Sequence, residues 1–189
     1  MGTNNIKKPA VFLDRDGTLI FNRNYLKFPS MVKLYSCVAE SINKLHTTGF
    51  KVIVVTNQSG IRRGLLTENE LYKVNEKFLS ILKSKNAKVD GLYYCPHIES
   101  DRCFCRKPKI GMVLQAANDF NIDLSKSYTV GDNIKDCLLG FNMGGKSILV
   151  LTGHGKKYQN NLINAKITTF IICKNFKQAV NFIIKDTKN

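Results

Sequence analysis

Six short apolar runs punctuate the chain, and longer amphipathic stretches separate most of them. Ala10 to Leu13 ends at Asp14, Val52 to Val55 at Thr56, Leu92 to Tyr94 at Cys95, and Tyr128 to Val130 at Gly131. Ser147 to Leu151 ends at Thr152, and Thr168 to Ile172 is the last run. Continuous apolar runs of this length suit strands covered on both faces, as in a parallel sheet. Between them, Ser36 to Thr48 places Val38, Ile42 and Leu45 on one helical face and stops before Gly49. Thr67 to Lys85 opens with Thr67 and, three residues later, Glu70, a capping box. Ile110 to Phe120, Ile134 to Met143 and Phe176 to Ile184 complete the helices. Alternating strands and helices predict an α/β fold: a three-layer sandwich around a mainly parallel sheet with right-handed crossovers.

Such sheets bind ligands beyond the carboxyl ends of their strands. Asp14, Thr56 and Asp132 stand at or just past strand ends and should meet in one crevice, although they are distant in sequence. Asp16 to Pro29 is too long for a simple turn and predicts a small flap over that crevice. No insertion is large enough for a separate cap, and no repeat or linker divides residues 1–189, so one domain is expected. No apolar run reaches the roughly 18 residues of a membrane span, and Met1 to Pro9 lacks a signal-like apolar stretch. A cytoplasmic monomer is expected.

Composition changes this picture little. The chain is 43% hydrophobic and 23% charged, an ordinary globular balance. The net charge of +15 would attract anionic metabolites or nucleic acid. The lysines are scattered and form no single stripe, which fits compositional drift better than a nucleic-acid surface.

Candidate chemistry lies at the strand ends. In Asp14-Arg15-Asp16-Gly17-Thr18 the two acids are two residues apart, and in extended chain they share one side. They repel unless a cation or shared proton intervenes. With Asp132 they form an oxygen-rich set suited to Mg²⁺. An N-cap followed by turn acids accounts for Asp14 and Asp16 alone equally simply. Of six cysteines, Cys37, Cys137 and Cys173 are isolated. Cys95, His97, Cys103 and Cys105 form a C-x-H…C-x-C set, enough for a closed, structural Zn²⁺ site in a loop at about 95–105. Arg106 and Lys107 follow directly, so the zinc would stiffen a loop delivering two cations. Arg106 is then a candidate for a second substrate anion. His46 and His154 receive no role.

The ordered set of motifs resembles the haloacid dehalogenase superfamily. Asp14-Arg15-Asp16-Gly17-Thr18 matches its first signature, Thr56 its second, Lys107 its third, and Gly131-Asp132 with Asp136 its fourth. The resemblance implies a phosphatase in which Asp14 is the nucleophile and Asp16 the general acid and base. It implies Mg²⁺ held by Asp14, Asp132 and the main-chain carbonyl of Asp16. Thr56 and the backbone of Asn57 would bind phosphoryl oxygens, Lys107 would add charge, and Asp136 would orient Lys107 or the loop rather than bind metal. Within the superfamily, the zinc loop is similar to that of heptose-1,7-bisphosphate 7-phosphatases and histidinol-phosphate phosphatases. Thr56-Asn57-Gln58-Ser59-Gly60-Ile61, Arg63-Gly64, Tyr93 to His97, Arg106-Lys107-Pro108 and Gly111-Met112 resemble the heptose group. That resemblance implies substrate contacts from Asn22 to Tyr25, from Thr56, Asn57, Gln58 and Ser59, and from Arg106, Lys107 and Asn133. Asn22 and Asn133 stand where an acid and a lysine are usual, differences that bear on substrate preference. The expected reaction removes the 7-phosphate of a small anionic heptose bisphosphate during nucleotide-heptose synthesis for lipopolysaccharide. Histidinol-phosphate hydrolysis is the alternative of the same fold, and removal of nucleic-acid 3′-phosphates the alternative of another class.

Overall fold

A computed structural model describes residues 6–164 and 170–188. Six strands, β1 Ala10–Leu13, β2 Lys51–Asn57, β3 Gly91–Cys95, β4 Tyr128–Gly131, β5 Lys146–Val150 and β6 Phe170–Cys173, form one sheet. Their order is β3-β2-β1-β4-β5-β6 and every pairing is parallel. The helices are α1 Val38–Thr47, α2 Glu68–Ser84, α3 Gly111–Phe120, α4 Ile134–Asn142, α5 Gly155–Asn164 and α6 Phe176–Asp186. The strand order reverses between β1 and β4, so the loops after them splay apart at a switch point and leave a crevice.

Side chains alternate between two cores. Val11 and Leu13 of β1 join Val52, Val54, Val130, Ile148 and Val150, under α1, α2 and α6. Ala10 and Phe12 point the other way and join Ile53 and Val55, with Val113 and Ala116 of α3 and Leu139 of α4. Both faces of the four inner strands are covered, which is why β1, β2, β4 and β5 read as apolar runs, whereas the edge strands β3 and β6 leave Tyr94 and Ile172 exposed. The Thr67–Glu70 box opens α2: Glu70 N–H donates to Thr67 Oγ1 at 3.1 Å, and Thr67 N–H donates to Glu70 Oε2 at 2.7 Å.

The structure departs from the sequence pattern in a few places. Helix α1 begins at Val38, because Val38 N–H bonds to Tyr35 O in a turn before it. Strand β5 stops at Val150, after which Leu151 N–H bonds to Cys173 O. The last apolar run begins at Thr168, but Thr168 and Thr169 lie outside the described residues. Helix α5 has no counterpart in the predicted elements: its sequence, GKKYQNNLIN, is polar on average, with Tyr158, Leu162 and Ile163 as its large apolar positions. The predicted flap extends past Pro29. Its arms are tied by Phe21 N–H to Lys33 O and Tyr35 N–H to Leu19 O, and Leu19, Ile20, Leu26 and Val32 are buried beneath it.

Helix α4 carries groups into the crevice, and its distance from the sheet is set at Gly140. A Cβ there would lie 2.2 Å from Ser147 Oγ and 2.4 Å from Thr129 Oγ1. Those hydroxyls donate to the α4 carbonyls of Cys137 and Asp136. Helix propensity alone would make Gly140→Ala stabilising. Here the methyl must push α4 off β4 and β5, so we expect a loss of about 1–3 kcal/mol. Chemical denaturation measures it, and an unchanged or raised midpoint would refute this account of the packing.

Candidate active site

The crevice is built around Lys107. Its side chain is 3% exposed, yet the ammonium has three acceptors: Asp14 Oδ1 at 2.6 Å, Asp136 Oδ1 at 2.6 Å and Val55 O at 2.7 Å. An ammonium has three protons, so this set uses all of them. The main chain of Lys107 is clamped as well. Lys107 N–H donates to Asn57 Oδ1 at 3.0 Å, and Asn57 Nδ2 donates back to Lys107 O at 3.1 Å. Burial alone would lower the Lys107 pKa; the Asp136 and Asp14 carboxylates override it and keep the side chain charged.

Asp14 follows β1, with its N–H bonded to Val130 O. Asp132 follows β4, and its Oδ2 accepts the main-chain N–H of His154 at 2.7 Å. Asp136 lies in the first turn of α4 and caps it through Asn133 N–H. Carboxylate oxygens of Asp14, Asp132 and Asp136 lie within 4.8 Å of one another. Burial pushes the Asp14 carboxyl well above its ordinary range; Lys107 opposes this, and the Asp136, Asp132 and Asp16 charges add to it. Burial, then the Asp136 charge, pushes Asp132 up to about 7. One lysine does not neutralise three buried carboxylates. An all-oxygen, over-acidic cluster has the donor chemistry that a hard divalent cation takes.

The Asp16 side chain stands apart from that cluster. Its Oδ2 accepts from Gln58 Nε2 at 2.9 Å and pairs with Arg15, whose Nη2 is 2.9 Å away, while its buried Oδ1 has no partner. Arg15 is fully buried and reaches across to Asn75 Oδ1 of α2 at 2.5 Å. Gln58 Nε2 also donates to Thr56 Oγ1 at 2.8 Å. Two adjoining cavities open here. One, of about 230 Å³, is lined by Asp14, Thr56, Arg106, Lys107, Asp132 and Asn133, among others. The second, of about 350 Å³, is lined by Arg23, Tyr25, Gln58 and Ser59 with their neighbours. Asp16, Asn22, Asn57 and His154 line both. Every site residue expected from the sequence outside the zinc set therefore reaches one cavity or the other. Asn133, expected on substrate, also spends its oxygen capping α4 through Lys135 N–H.

His154, Lys135 and Tyr158 line the first cavity without having been expected there. A signal existed: Thr152-Gly153-His154 follows β5, at the same carboxyl edge as the other site loops. Gly153 has φ +53°, and a Cβ on it would lie 2.0 Å from Asp132 Oδ2. Only glycine lets this turn approach the carboxylate so closely.

Beside the crevice, Cys95, His97, Cys103 and Cys105 converge. Sulfur–sulfur separations run from 3.0 Å (Cys95–Cys105) to 3.7 Å (Cys95–Cys103), and His97 Nδ1 is 3.3 Å from Cys105 Sγ. No disulfide is formed among them. A tetrahedral ion with Zn–S bonds of about 2.3 Å needs S···S edges near 3.8 Å, so the four donors fit one ion with slight expansion. Burial raises the Cys95 thiol pKa well above its ordinary value, and the neighbouring Cys105 adds to this. Arg106 Nη1 bonds to His97 O at 2.9 Å, and Gln58 N–H to Cys95 O at 2.7 Å, linking this knuckle to both sides of the crevice.

Three comparisons with known proteins bear on this arrangement. The family described as polynucleotide kinase 3 phosphatase matches residues 9–182. The D-glycero-beta-D-manno-heptose-1,7-bisphosphate 7-phosphatase of Yersinia pestis is 41% identical over 154 residues, covering 77% of this chain and 81% of its own. The enzyme of the same name from Helicobacter pylori is 35% identical over 175 residues, covering 92% and 96%. Among solved structures, the D,D-heptose 1,7-bisphosphate phosphatase of B. bronchiseptica, complexed with magnesium and phosphate, superposes with a TM-score of 0.84. It is 27% identical and covers 94% of this chain and 99% of its own.

Protons and magnesium should compete at the carboxylate cluster. Asp132 titrates near 7 in the fold against 3.8 when unperturbed, so the native state holds an extra proton between those values. Its contribution to stability is therefore present at low pH and lost as pH rises through about 4 to 7. Mg²⁺ should raise the melting temperature little at pH 5 and much more at pH 7.5. Thermal melts with and without Mg²⁺ at both pH values test this, and an equal shift at the two would contradict it.

Proposed function

The chain belongs to the haloacid dehalogenase superfamily, in the family described as polynucleotide kinase 3 phosphatase, and from that membership we propose that it hydrolyses a heptose bisphosphate at C7 through an aspartyl-phosphate. The observation that carries the reading is the buried Asp14–Lys107–Asp136 array beside Asp132, at the mouth of a cavity rimmed with further cations. The chemistry of the relatives named above, all heptose-1,7-bisphosphate phosphatases, supplies the substrate.

An Asp14 oxygen attacks phosphorus, the P–O bond to the sugar breaks, and its electron pair leaves with the alkoxide. Asp16 gives that alkoxide a proton. Gln58 and Arg15 hold Oδ2 of Asp16 and fix the carboxyl at the wall shared by the two cavities. A water then attacks the acyl phosphate as Asp16 takes its proton, releasing phosphate and restoring Asp14. Mg²⁺, held by Asp14, Asp132 and the Asp16 carbonyl, offsets the negative charge shared by phosphate and carboxylates. Lys107 offsets part of the burial that disfavours the Asp14 carboxylate, and Asp136 holds Lys107. Thr56 and the Asn57 backbone take phosphoryl oxygens. Arg106 takes the second phosphate, and Asn22, Tyr25, Gln58, Ser59 and Asn133 take the sugar.

The Cys95–His97–Cys103–Cys105 knuckle would hold a Zn²⁺, which would anchor the segment that carries Arg106 and Lys107. In this reading the chain works as a single-domain monomer in the cytoplasm; no described helix is long and apolar enough to cross a membrane. The family description points to a second reading, hydrolysis of nucleic-acid 3′-phosphates, to which the scattered lysines add little.

Specificity constants for heptose 1,7-bisphosphate, histidinol phosphate and a 3′-phosphorylated oligonucleotide separate the readings. Heptose bisphosphate should lead by at least about tenfold, a margin of about 1.4 kcal/mol in transition-state binding; a lead for either rival would replace this assignment. Asp14→Asn should lower kcat by roughly 10³-fold or more with its melting curve still cooperative. Retained turnover would remove Asp14 as nucleophile. Chelating the zinc should lower the melting temperature and release metal in a stoichiometric colour assay. Full metal loss without any change in melting would leave the knuckle no structural role.

A further inference from the structure

The hydrolysis itself has no step for His154, yet the imidazole occupies the junction of the two cavities. Its Nε2 lies 2.7 Å from Asn22 Nδ2 across a sequence separation of 132 residues. Both residues line both cavities, together with Asp16 and Asn57. The two partners are held from opposite sides. His154 is fixed by its main-chain N–H to Asp132, and its turn is fixed by Thr152 Oγ1 donating to Gly17 O at 2.7 Å. Asn22 follows Phe21, whose N–H bonds to Lys33 O and whose ring stacks on Tyr35 with centroids 4.2 Å apart. The pair therefore joins the flap to the loop that holds the acidic cluster.

We infer that His154 is a substrate-positioning residue: with the Asn22 amide it forms a polar post between the phosphoryl cavity and the distal cavity, and it orients substrates through a hydroxyl near the scissile ester. The amide supplies an N–H donor and the imidazole a ring-nitrogen acceptor. At 2.7 Å the two already satisfy each other, so a hydroxyl, which both donates and accepts, would displace that bond and take its place, accepting from the amide and donating to the imidazole. A substrate without such a hydroxyl gains nothing from the pair. Sites that hydrogen-bond a substrate hydroxyl discriminate strongly against analogues that lack it. Tyr158, one helical turn beyond His154, lines the first cavity and adds a second polar head on the same side.

This inference rests on the sugar-phosphate reading, and its test separates the two. His154→Ala removes the imidazole but retains the main-chain bond to Asp132, so it isolates the side chain. For wild type, H154A, N22A, the double variant and H154Q, kcat and KM are measured on heptose bisphosphate and on phenyl phosphate, which has no hydroxyl. The ratio of kcat/KM between the two substrates should fall about tenfold in H154A, with the loss in KM. The double variant should lose no more than the worse single variant, because the residues act as one unit. H154Q should regain most of the ratio, since its amide can still face Asn22. An unchanged ratio, an equal loss on both substrates, or additive losses would each overturn the role. Wild-type protein without preference for the sugar phosphate over phenyl phosphate would overturn the functional reading and this inference together. A wild-type preference that survives in every variant would overturn this inference alone.

Discussion

A single buried ammonium holds this crevice together. Taking a lysine out of water is costly unless its charge and all its protons are matched. Lys107 meets that condition with Asp14 after β1, Asp136 from α4 and the Val55 carbonyl of β2. It thereby joins three elements that lie far apart in sequence. The dependence runs both ways: without the lysine, Asp14 and Asp136 would face each other with Asp132 in a poorly hydrated pocket. The array is strong because it is saturated, yet its net charge is still negative. Burial first, and then that residual charge, raises the Asp14 and Asp132 pKa values, and the charge makes a divalent cation the natural complement.

Sterics tighten the same point. Asp132 Oδ2 sits so close to Gly17 and Gly153 that a Cβ on either would lie about 2 Å from it. Both glycines have positive φ, +89° and +53°, which other residues adopt rarely. The turn after β1 and the turn after β5 thus close around one carboxylate from two sides. Gly140 does comparable work at a distance by letting α4 lie against Ser147 and Thr129, which sets the depth at which Asp136 reaches Lys107.

Much of this was legible in the sequence, and the reasons are physical. Buried parallel strands must be apolar on both faces, so β1 to β5 announced themselves, and the acids at their ends marked the crevice. The zinc set was legible because ligand chemistry demands particular residues at short spacing. Helix α5 was not, since its lysines, asparagines and glutamine outnumber the few apolar positions, Tyr158, Leu162 and Ile163. His154 was missed for a related reason. A lone histidine carries no spacing signal, and its significance comes from a partner 132 residues away on the flap. The secondary task of Asn133, capping α4, likewise depends on the backbone that follows it and not on the residue alone.

The division of labour between scaffold and flap follows from these constraints. The groups proposed to bear on phosphoryl transfer are nearly fully buried, Asp14 and Asp132 just after strands, Asp136 in the first turn of α4 and Lys107 in the turn before α3. The Cys95–His97–Cys103–Cys105 knuckle joins that rigid set through Arg106 to His97 O and Gln58 N–H to Cys95 O. Groups on the far side, Asn22, Arg23, Asn24 and Tyr25, belong to the flap and are largely solvent-facing. Geometry for the common chemistry must hold within fractions of an ångström, whereas recognition of the leaving group can tolerate adjustment. A fold of this kind can change its substrate by altering the flap and leave the reaction untouched. The Asn22–His154 contact is where the two parts meet, so selectivity and chemistry can influence each other there with little change elsewhere.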